Sequence, residues 1–409
     1  MRRNGNMTHA PICDESDAVS PQSSGAPDAA PGISIVGVDP ELGFGGGETQ
    51  VLGLTLTLAR AGHRAELICD PAGRLWTRAT AAGVRCHPLH IRNAIDIAAG
   101  VRLRAILKRN RFDIVHFHTS RAHAMAPFAR GFASALVVTR RMDYRPNRIF
   151  APYLYNRAVD SVIAISNGVA DSLALAGVDT GRIAIVPSGV DCEHFRPPTA
   201  GERAAARAAL KIDENALVVS ALGALEPRKG HRYLVEAIAA LVHSGSKSAD
   251  YANLRCMIAG HGSLRAELEG QAEQLGCARN VTLLGRIDDA RALLWATDIF
   301  AMPSLSEGLG VAALEAMAVG LPAIVTDVGG LRETVENIRT GFVVEPASPE
   351  KLASAIAKLA ESTELKEHTG AAARARVEEK FSMASMATQT LALYRACLNK
   401  TRGEKGGIE

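Results

Sequence analysis

Aromatic residues are scarce, 4% of a 409-residue chain, and no apolar run reaches the roughly 18 residues of a membrane span. The longest candidate, Val311 to Thr326, is broken by Glu315. The chain is therefore expected not to cross a bilayer. No secretory leader is expected in the first residues either, because Asp14, Glu15 and Asp17 occupy the place an apolar core would need. Seven cysteines (Cys13, Cys69, Cys86, Cys192, Cys256, Cys277, Cys397) are scattered without a Cys-x-x-Cys pair, which supports neither a disulfide framework nor a zinc site and fits a reducing cytosol. What remains is ordinary globular composition, 47% hydrophobic and 22% charged, in a chain too long for one typical core. Disorder throughout, collagen and coiled coil are excluded.

The net charge of +3 is unevenly laid down. Residues 1 to 30 carry 2 basic and 4 acidic groups, residues 31 to 195 carry 19 and 13, and residues 196 to 409 carry 25 and 26. Between Ala98 and Arg157, 12 Lys or Arg face only Asp113 and Asp143. Such a field attracts anionic lipid headgroups, phosphorylated acceptors or nucleic acid. The alternative is a set of solvated helix faces in an arginine-rich chain.

Residues 1 to 30 are rich in Pro, Ser, Ala and Asp without an apolar period and read as a disordered tail. From Ile33 onward, short β-branched runs alternate with longer amphipathic ones. Strands are expected at Ile33 to Val38, Ala65 to Cys69, Val84 to Leu89, Asp113 to Phe117, Ala135 to Thr139, Ser161 to Ile165 and Ile183 to Val186. Helices are expected at Gly47 to Ala61 and Val101 to Arg109. A second cycle follows the stretch His194 to Thr199, with strands at Leu217 to Gly223, Leu254 to Ala259, Val281 to Leu284, Ile299 to Met302, Ala323 to Thr326 and Gly341 to Val344. Its helices include His231 to Val242 and Val311 to Val319. Alternation of this kind means α/β architecture: two doubly wound, Rossmann-like parallel sheets in tandem. The expected division is a first domain at 31–192, a second at 193–382, and a last helix and tail at 383–409 that packs back on the first domain. Ligands bind beyond the carboxyl ends of such strands, so the shared cleft and the loops entering it are the places to search.

Four loops stand out. Gly43 to Glu48 runs from strand into helix, where Gly46 and Gly47 let backbone amides approach a phosphate or sugar oxygen, or serve only a tight turn. The strand Asp113 to Phe117 delivers His118 to its carboxyl end, with His116 on the same face; His118 is a sugar or phosphate ligand or a structural group. Gly223 to Gly230 sets Arg228 and Lys229 before a helix, a diphosphate grip or a solvated turn. Pro303 to Pro322 joins Glu307, Gly308, Leu309 and Gly310 to a helix that carries Glu315, about 12 Å further on, among Val311, Ala312, Met317 and Ala318. A carboxylate in that apolar setting is costly unless something such as a ribose hydroxyl bonds it.

With these segments in view the chain resembles the retaining glycosyltransferases of the GT-B fold, family 4 type, over about Ile33 to Arg395. The motifs that carry the resemblance are GGGETQVLGLTLTLARAGH, DIVHFH, VIAISNGVADSL, IVPSGVDCEHFRP, PRKG, IAGHGSLRAELE, VTLLGRIDD, the two-glutamate segment and TDVGGLRETVENIRTGFVVEP. The resemblance implies a nucleoside-diphosphate sugar as donor, a UDP-sugar foremost, and a glycan or glycolipid as acceptor. Glu307 with the amides of Gly308, Leu309 and Gly310 then holds the donor sugar, Glu315 the ribose, Arg228 and Lys229 the diphosphate. Gly46 and Gly47 approach the phosphate or acceptor, and His118 sits near the transferred sugar, so that His118, Lys229 and Glu307 form the catalytic set. Two positions depart from the family pattern. Ala224 stands where an Arg is usual and Ser188 where an Asn is usual. Related variants resemble enzymes of lipopolysaccharide core or surface polysaccharide synthesis.

No Asp-x-Asp occurs to chelate a metal against a diphosphate, so no cofactor and no metal are expected. The expected partners are donor, acceptor and an anionic membrane surface met by the first domain, with no nucleic acid, at a cytoplasmic or inner-membrane-face location. Two rival readings share the fold or the ligand: a GT-B sugar-nucleotide epimerase or phosphorylase, and a non-catalytic protein that binds nucleotide sugar or glycolipid.

Overall fold

β-Branched runs become strands and the apolar-striped windows between them become helices, as their periods of 2 and 3.6 require. In the computed structural model, residues 32–142, 146–245 and 251–406 are described. The expected tail at 1–30 lies outside them, as does Asp143 of the basic stretch.

The first sheet comprises β1 (Ser34–Asp39), β2 (Arg64–Cys69), β3 (Cys86–Pro88), β4 (Phe112–Phe117), β5 (Ala133–Arg140), β6 (Ser161–Ala164) and β7 (Ile183–Ile185), in the spatial order β3-β2-β1-β4-β5-β6-β7. The second comprises β8 (Val218–Leu222), β9 (Arg255–Ala259), β10 (Val281–Gly285), β11 (Ile299–Met302), β12 (Ala323–Thr326) and β13 (Gly341–Val344), in the order β10-β9-β8-β11-β12-β13. All pairings are parallel. In each sheet the strand order reverses once, between β1 and β4 and between β8 and β11. Those two points are where a doubly wound sheet opens a crevice.

The chain ends by returning to its first half. Helix Met383–Gly406 lays Met386, Ala387 and Tyr394 against Ile35, Leu54, Leu58, Ile114 and Val137 of the first sheet and its helix. Tyr394 is fully buried there, and its hydroxyl meets His116 Nδ1 at 2.7 Å. This helix runs as far as Gly406, and helix Ile97–Asn110 begins four residues before the expected Val101. The early start has a local cause: Asp96 accepts from the Ala99 amide at 3.1 Å and caps the helix. The expected strand Val84 to Leu89 contracts to Cys86–Pro88, an edge strand that ends at a residue without an amide hydrogen.

Candidate functional site

The second sheet's switch point is built by two loops forced together. Gly230, with φ +65°, lies so close to the Pro303 carbonyl that a Cβ would stand 2.0 Å from its oxygen. Only glycine permits this contact, and it carries the loop after β8 onto the loop after β11. Lys229 and Glu307 consequently meet in an ion pair, both with side chains nearly buried. Each would be costly in that place alone.

Glu315 sits on helix Val311–Ala318, which Gly310 starts from a left-handed conformation. Burial first and the neighbouring Asp289 second push its carboxyl up to about 7. Arg228 is placed differently from Lys229. Its guanidinium is exposed and bonds Glu226 at 2.9 Å, so it stands at the rim rather than with the buried pair.

The loop Glu307 to Gly310 also reaches the first sheet. The Ser166 hydroxyl donates to the Gly308 carbonyl at 2.6 Å, and a Cβ on Gly308 would lie 2.2 Å from the Arg141 carbonyl oxygen. Glycine at 308 is thus what lets the loop touch the end of β5. Below it, Glu333 accepts from the amides of Asn167 and Gly168 at 3.1 and 3.3 Å, a carboxylate at the start of helix Asn167–Leu175.

At the first sheet's switch point, the His118 amide donates to the Val38 carbonyl at 3.1 Å, which fixes the histidine beside β1. His118 is buried, its ring 4.0 Å from that of His116. Burial, with His116 and Arg141 nearby, holds its pKa well below the usual histidine value. Arg141 donates from Nη1 to the His118 carbonyl at 3.0 Å and from Nη2 to Nδ1 at 3.4 Å. Nδ1 is therefore the acceptor and Nε2 carries the proton. That N–H faces Gly37, where a Cβ would lie 3.2 Å from Nε2.

Gly46 and Gly47 open helix Gly46–Arg60 with nothing near the place of a Cβ. Glu48 accepts from the Gly45 amide at 2.7 Å, closing the first turn on itself. Three residues that sequence reasoning did not single out belong to this site. Ser166 and Arg141 fasten the loop and the histidine. Asp39, wholly buried at the end of β1, accepts from the Glu41 amide at 3.1 Å through Oδ1, while Oδ2 is sealed without a partner. Burial foremost lifts its carboxyl to about 7. The available signal was position alone: Asp39 and Arg141 follow directly on strand cores. Among the described residues no group of three or more His, Cys, Asp or Glu is placed to hold a metal ion, and no helix is long and apolar enough to cross a membrane.

Comparison with known proteins divides at the linker as the sheets do. Residues 44–194 match the family Glycosyltransferase Family 4, and residues 202–376 match Glycosyl transferases group 1. A D-inositol 3-phosphate glycosyltransferase of Streptomyces scabiei is 32% identical over 252 residues, 60% of this chain and 56% of that protein. An alpha-maltose-1-phosphate synthase of Mycolicibacterium smegmatis is 31% identical over 58% of this chain and 63% of its own length. The chain thus spans about half the length of the curated relatives it matches. In fold it is similar to a glycosyltransferase from Rickettsia africae, with TM-score 0.79 and 24% identity over 90% of this chain and 99% of that one. It is also similar to Anabaena HepE in complex with UDP, with TM-score 0.78 and 20% identity over 89% and 100%. Two parallel sheets of Rossmann type, each matched by its own half of one family pair, settle the classification: the chain belongs to the group 1, family 4-type glycosyltransferases of the GT-B fold.

Proposed function

We propose that the protein is a retaining hexosyltransferase that moves a sugar from a nucleoside-diphosphate sugar, a UDP-sugar foremost, to a glycan or glycolipid acceptor in lipopolysaccharide or surface polysaccharide synthesis. The observation that carries the reading is the pairing of Lys229 with Glu307 at one switch point. The reading gives each partner a ligand group: the diphosphate draws Lys229, and Glu307 turns to the hydroxyls of the donor sugar. Glu315 takes the ribose. Charge developing on the leaving diphosphate is met by Lys229, by Arg228 and by the amino end of helix His231–Val242, and the reading requires no metal. Retention follows if the acceptor attacks on the face the diphosphate leaves, a leaving phosphate oxygen taking its proton. His118, neutral and with Nε2–H available, donates to the sugar in that arrangement.

Thermal shift with a panel of nucleotide sugars tests the donor, since a ligand at 100 times its Kd adds about 2.7 kcal/mol. Release of nucleotide only in the presence of an acceptor separates transfer from epimerisation. No shift with any nucleotide sugar ends the reading.

The reading extends to location, the cytoplasmic face of a membrane. It is supported by the basic first half and by apolar side chains exposed after β3 and β5: Ile95 (84% exposed), Ile149 (81%) and Phe150 (62%), beside exposed Arg92 and Arg148. Basic groups near an anionic surface contribute about 1 kcal/mol each, screened by salt. Sedimentation with anionic vesicles at low and high salt is the test; protein left in the supernatant at low salt removes the membrane from the account.

A further inference from the structure

His116, buried in β4, has no part in the reading above, yet both its ring nitrogens are engaged. Nδ1 meets the Tyr394 hydroxyl at 2.7 Å and Nε2 the Thr139 hydroxyl at 2.6 Å. Burial foremost, with Arg141 second, lowers the His116 pKa to about 3. The ring is therefore neutral, so one nitrogen donates and the other accepts. Which does which follows from Tyr394. Burial pushes the Tyr394 hydroxyl well above its usual pKa, so it keeps its proton, and among the described residues that proton has no acceptor except Nδ1. A hydrogen on Nδ1 would strand the hydroxyl proton in the core, which is costly. Tyr394 thus donates to Nδ1, and Nε2–H donates to Thr139 Oγ1. The Thr139 proton is then left over, since Oγ1 is an acceptor here and has no other partner among the described residues. Thr139 lies in the wall of a cavity of about 270 Å³ at the carboxyl end of the first sheet, together with His118, Thr119 and Arg141. Donation runs one way, from the returning helix to that cavity, and each link polarises the next.

We infer that Tyr394 is a positioning residue: acting through His116, it makes the Thr139 hydroxyl a directed donor to a neutral substrate oxygen, a sugar hydroxyl or ring oxygen, in this cavity. The inference rests on the glycosyltransferase reading, which sets the reacting sugar beside His118, and adds Thr139 as a ligand there. Packing alone does not account for the tyrosine. Its ring lies among Ile35, Leu54, Ile114 and Val137, a pocket that phenylalanine fills equally well, and burying a hydroxyl costs free energy unless it is bonded. The partner it bonds is equally placed for a purpose. The His116 ring stands 4.0 Å from that of His118, so the same chain that aims Thr139 also backs the histidine. Tyr394 is 278 residues from His116 in sequence, and a helix of the chain's far end thereby sets the donors of the first sheet.

The test uses the full chain with two readouts. Nitrogen-15 magnetic resonance of labelled histidines reads the tautomer of His116, expected as Nε2–H in the parent and no longer fixed in Tyr394→Phe. UDP release from UDP-glucose, with glycerol as acceptor, reads turnover. Tyr394→Phe and Thr139→Val are each expected to lower kcat about tenfold, the loss of one neutral hydrogen bond, with KM for UDP-glucose unchanged. Thr139→Ser, which keeps the hydroxyl, should restore most of what Thr139→Val loses. Because Tyr394 acts through Thr139, adding Tyr394→Phe to Thr139→Val should cost nothing more. Nδ1–H on His116 in the parent, parental turnover in Tyr394→Phe, or losses that multiply in the double variant overturn the inference; multiplied losses mean that the tyrosine only packs. If Tyr394→Phe fails to fold, the parent's tautomer and the contrast of Thr139→Val with Thr139→Ser decide. Absence of turnover in the parent strikes the UDP-glucose reading instead, and the tautomers then decide alone.

Discussion

The two switch points solve the problem of buried charge in opposite ways. In the second sheet, Lys229 and Glu307 neutralise one another before any ligand arrives. In the first, Arg141 carries a sealed Nε without an acceptor and Asp39 a sealed Oδ2 without a donor. On the proposed reading the second switch point, the donor side, is thus a latch that a ligand must open, and the first, the acceptor side, a socket that a ligand completes. Removing a group from the latch exposes its partner; removing one from the socket relieves a penalty. Substitutions on the two sides should therefore differ in sign as well as in size.

The largest effect is expected from Lys229→Ala. Loss of a charge preorganised for the departing diphosphate should lower turnover by about 2.7–4 kcal/mol, and the orphaned Glu307 should lower stability as well. Lys229→Ala combined with Glu307→Gln should recover the stability and none of the turnover. Recovery of both would show that the pair is structural.

Asp39→Asn should act in the other direction. The folded-state pKa is raised from 3.8 to about 7, so the folded form holds a proton that the unfolded chain releases between those values. Stability from this group is complete below pH 4 and is lost as pH rises towards 7 and above. The amide has no such loss, so the variant should exceed the parent at pH 8 by about 2–4 kcal/mol and lose the advantage at pH 4. Denaturant midpoints at the two pH values decide; a variant weaker than its parent at pH 8 means that Asp39 has a charged partner in the folded protein.

Glu315→Ala tests whether the donor side contains a socket of its own. Hydrogen bonds from ribose to a carboxylate contribute roughly 1.5–3 kcal/mol each. Donor affinity should fall accordingly while the fold is kept, and calorimetric titration with UDP reads it. Unchanged affinity removes the ribose from Glu315.

How much of this was legible in the sequence follows the same division. The parallel sheets were, because strand and helix alternate with clear periods from Ile33 to Val344. The residues that meet at the second switch point were too, because they lie in short contiguous runs: Arg228-Lys229-Gly230 and Glu307 to Glu315 hold residue type and spacing together. At the first switch point only His118 was. Asp39, His118 and Arg141 come from the ends of β1, β4 and β5, strands whose adjacency is a product of the reversed order, and no run of sequence contains two of them. The basic stretch Ala98 to Arg157 was legible only in part, for a related reason. Composition gave its sign, but only the packing of β5 turns Arg140 and Arg141 inward. The glycines show the limit in miniature: Gly46 and Gly47 drew the eye and lie open, whereas Gly308 holds two domains in contact.

The smallest effect is expected at Arg228, and it sharpens the contrast within the donor side itself. Arg228 and Lys229 are adjacent, yet Lys229 is buried against Glu307 while Arg228 is exposed and paired with Glu226, two residues before it. An exposed pair of this kind contributes about 0–1 kcal/mol and is screened by salt. Arg228→Ala should therefore leave stability unchanged and reduce turnover only a fewfold, with a loss that shrinks as ionic strength rises. The counter-case is specific: Ala224 leaves the diphosphate without the arginine usual in similar enzymes, and Arg228 is the nearest cation in sequence to replace it. If Arg228→Ala reduces turnover more than Lys229→Ala does, Arg228 leaves Glu226 for the diphosphate when the donor binds. The pair seen in the free protein is then a resting place, and the latch has two arms instead of one.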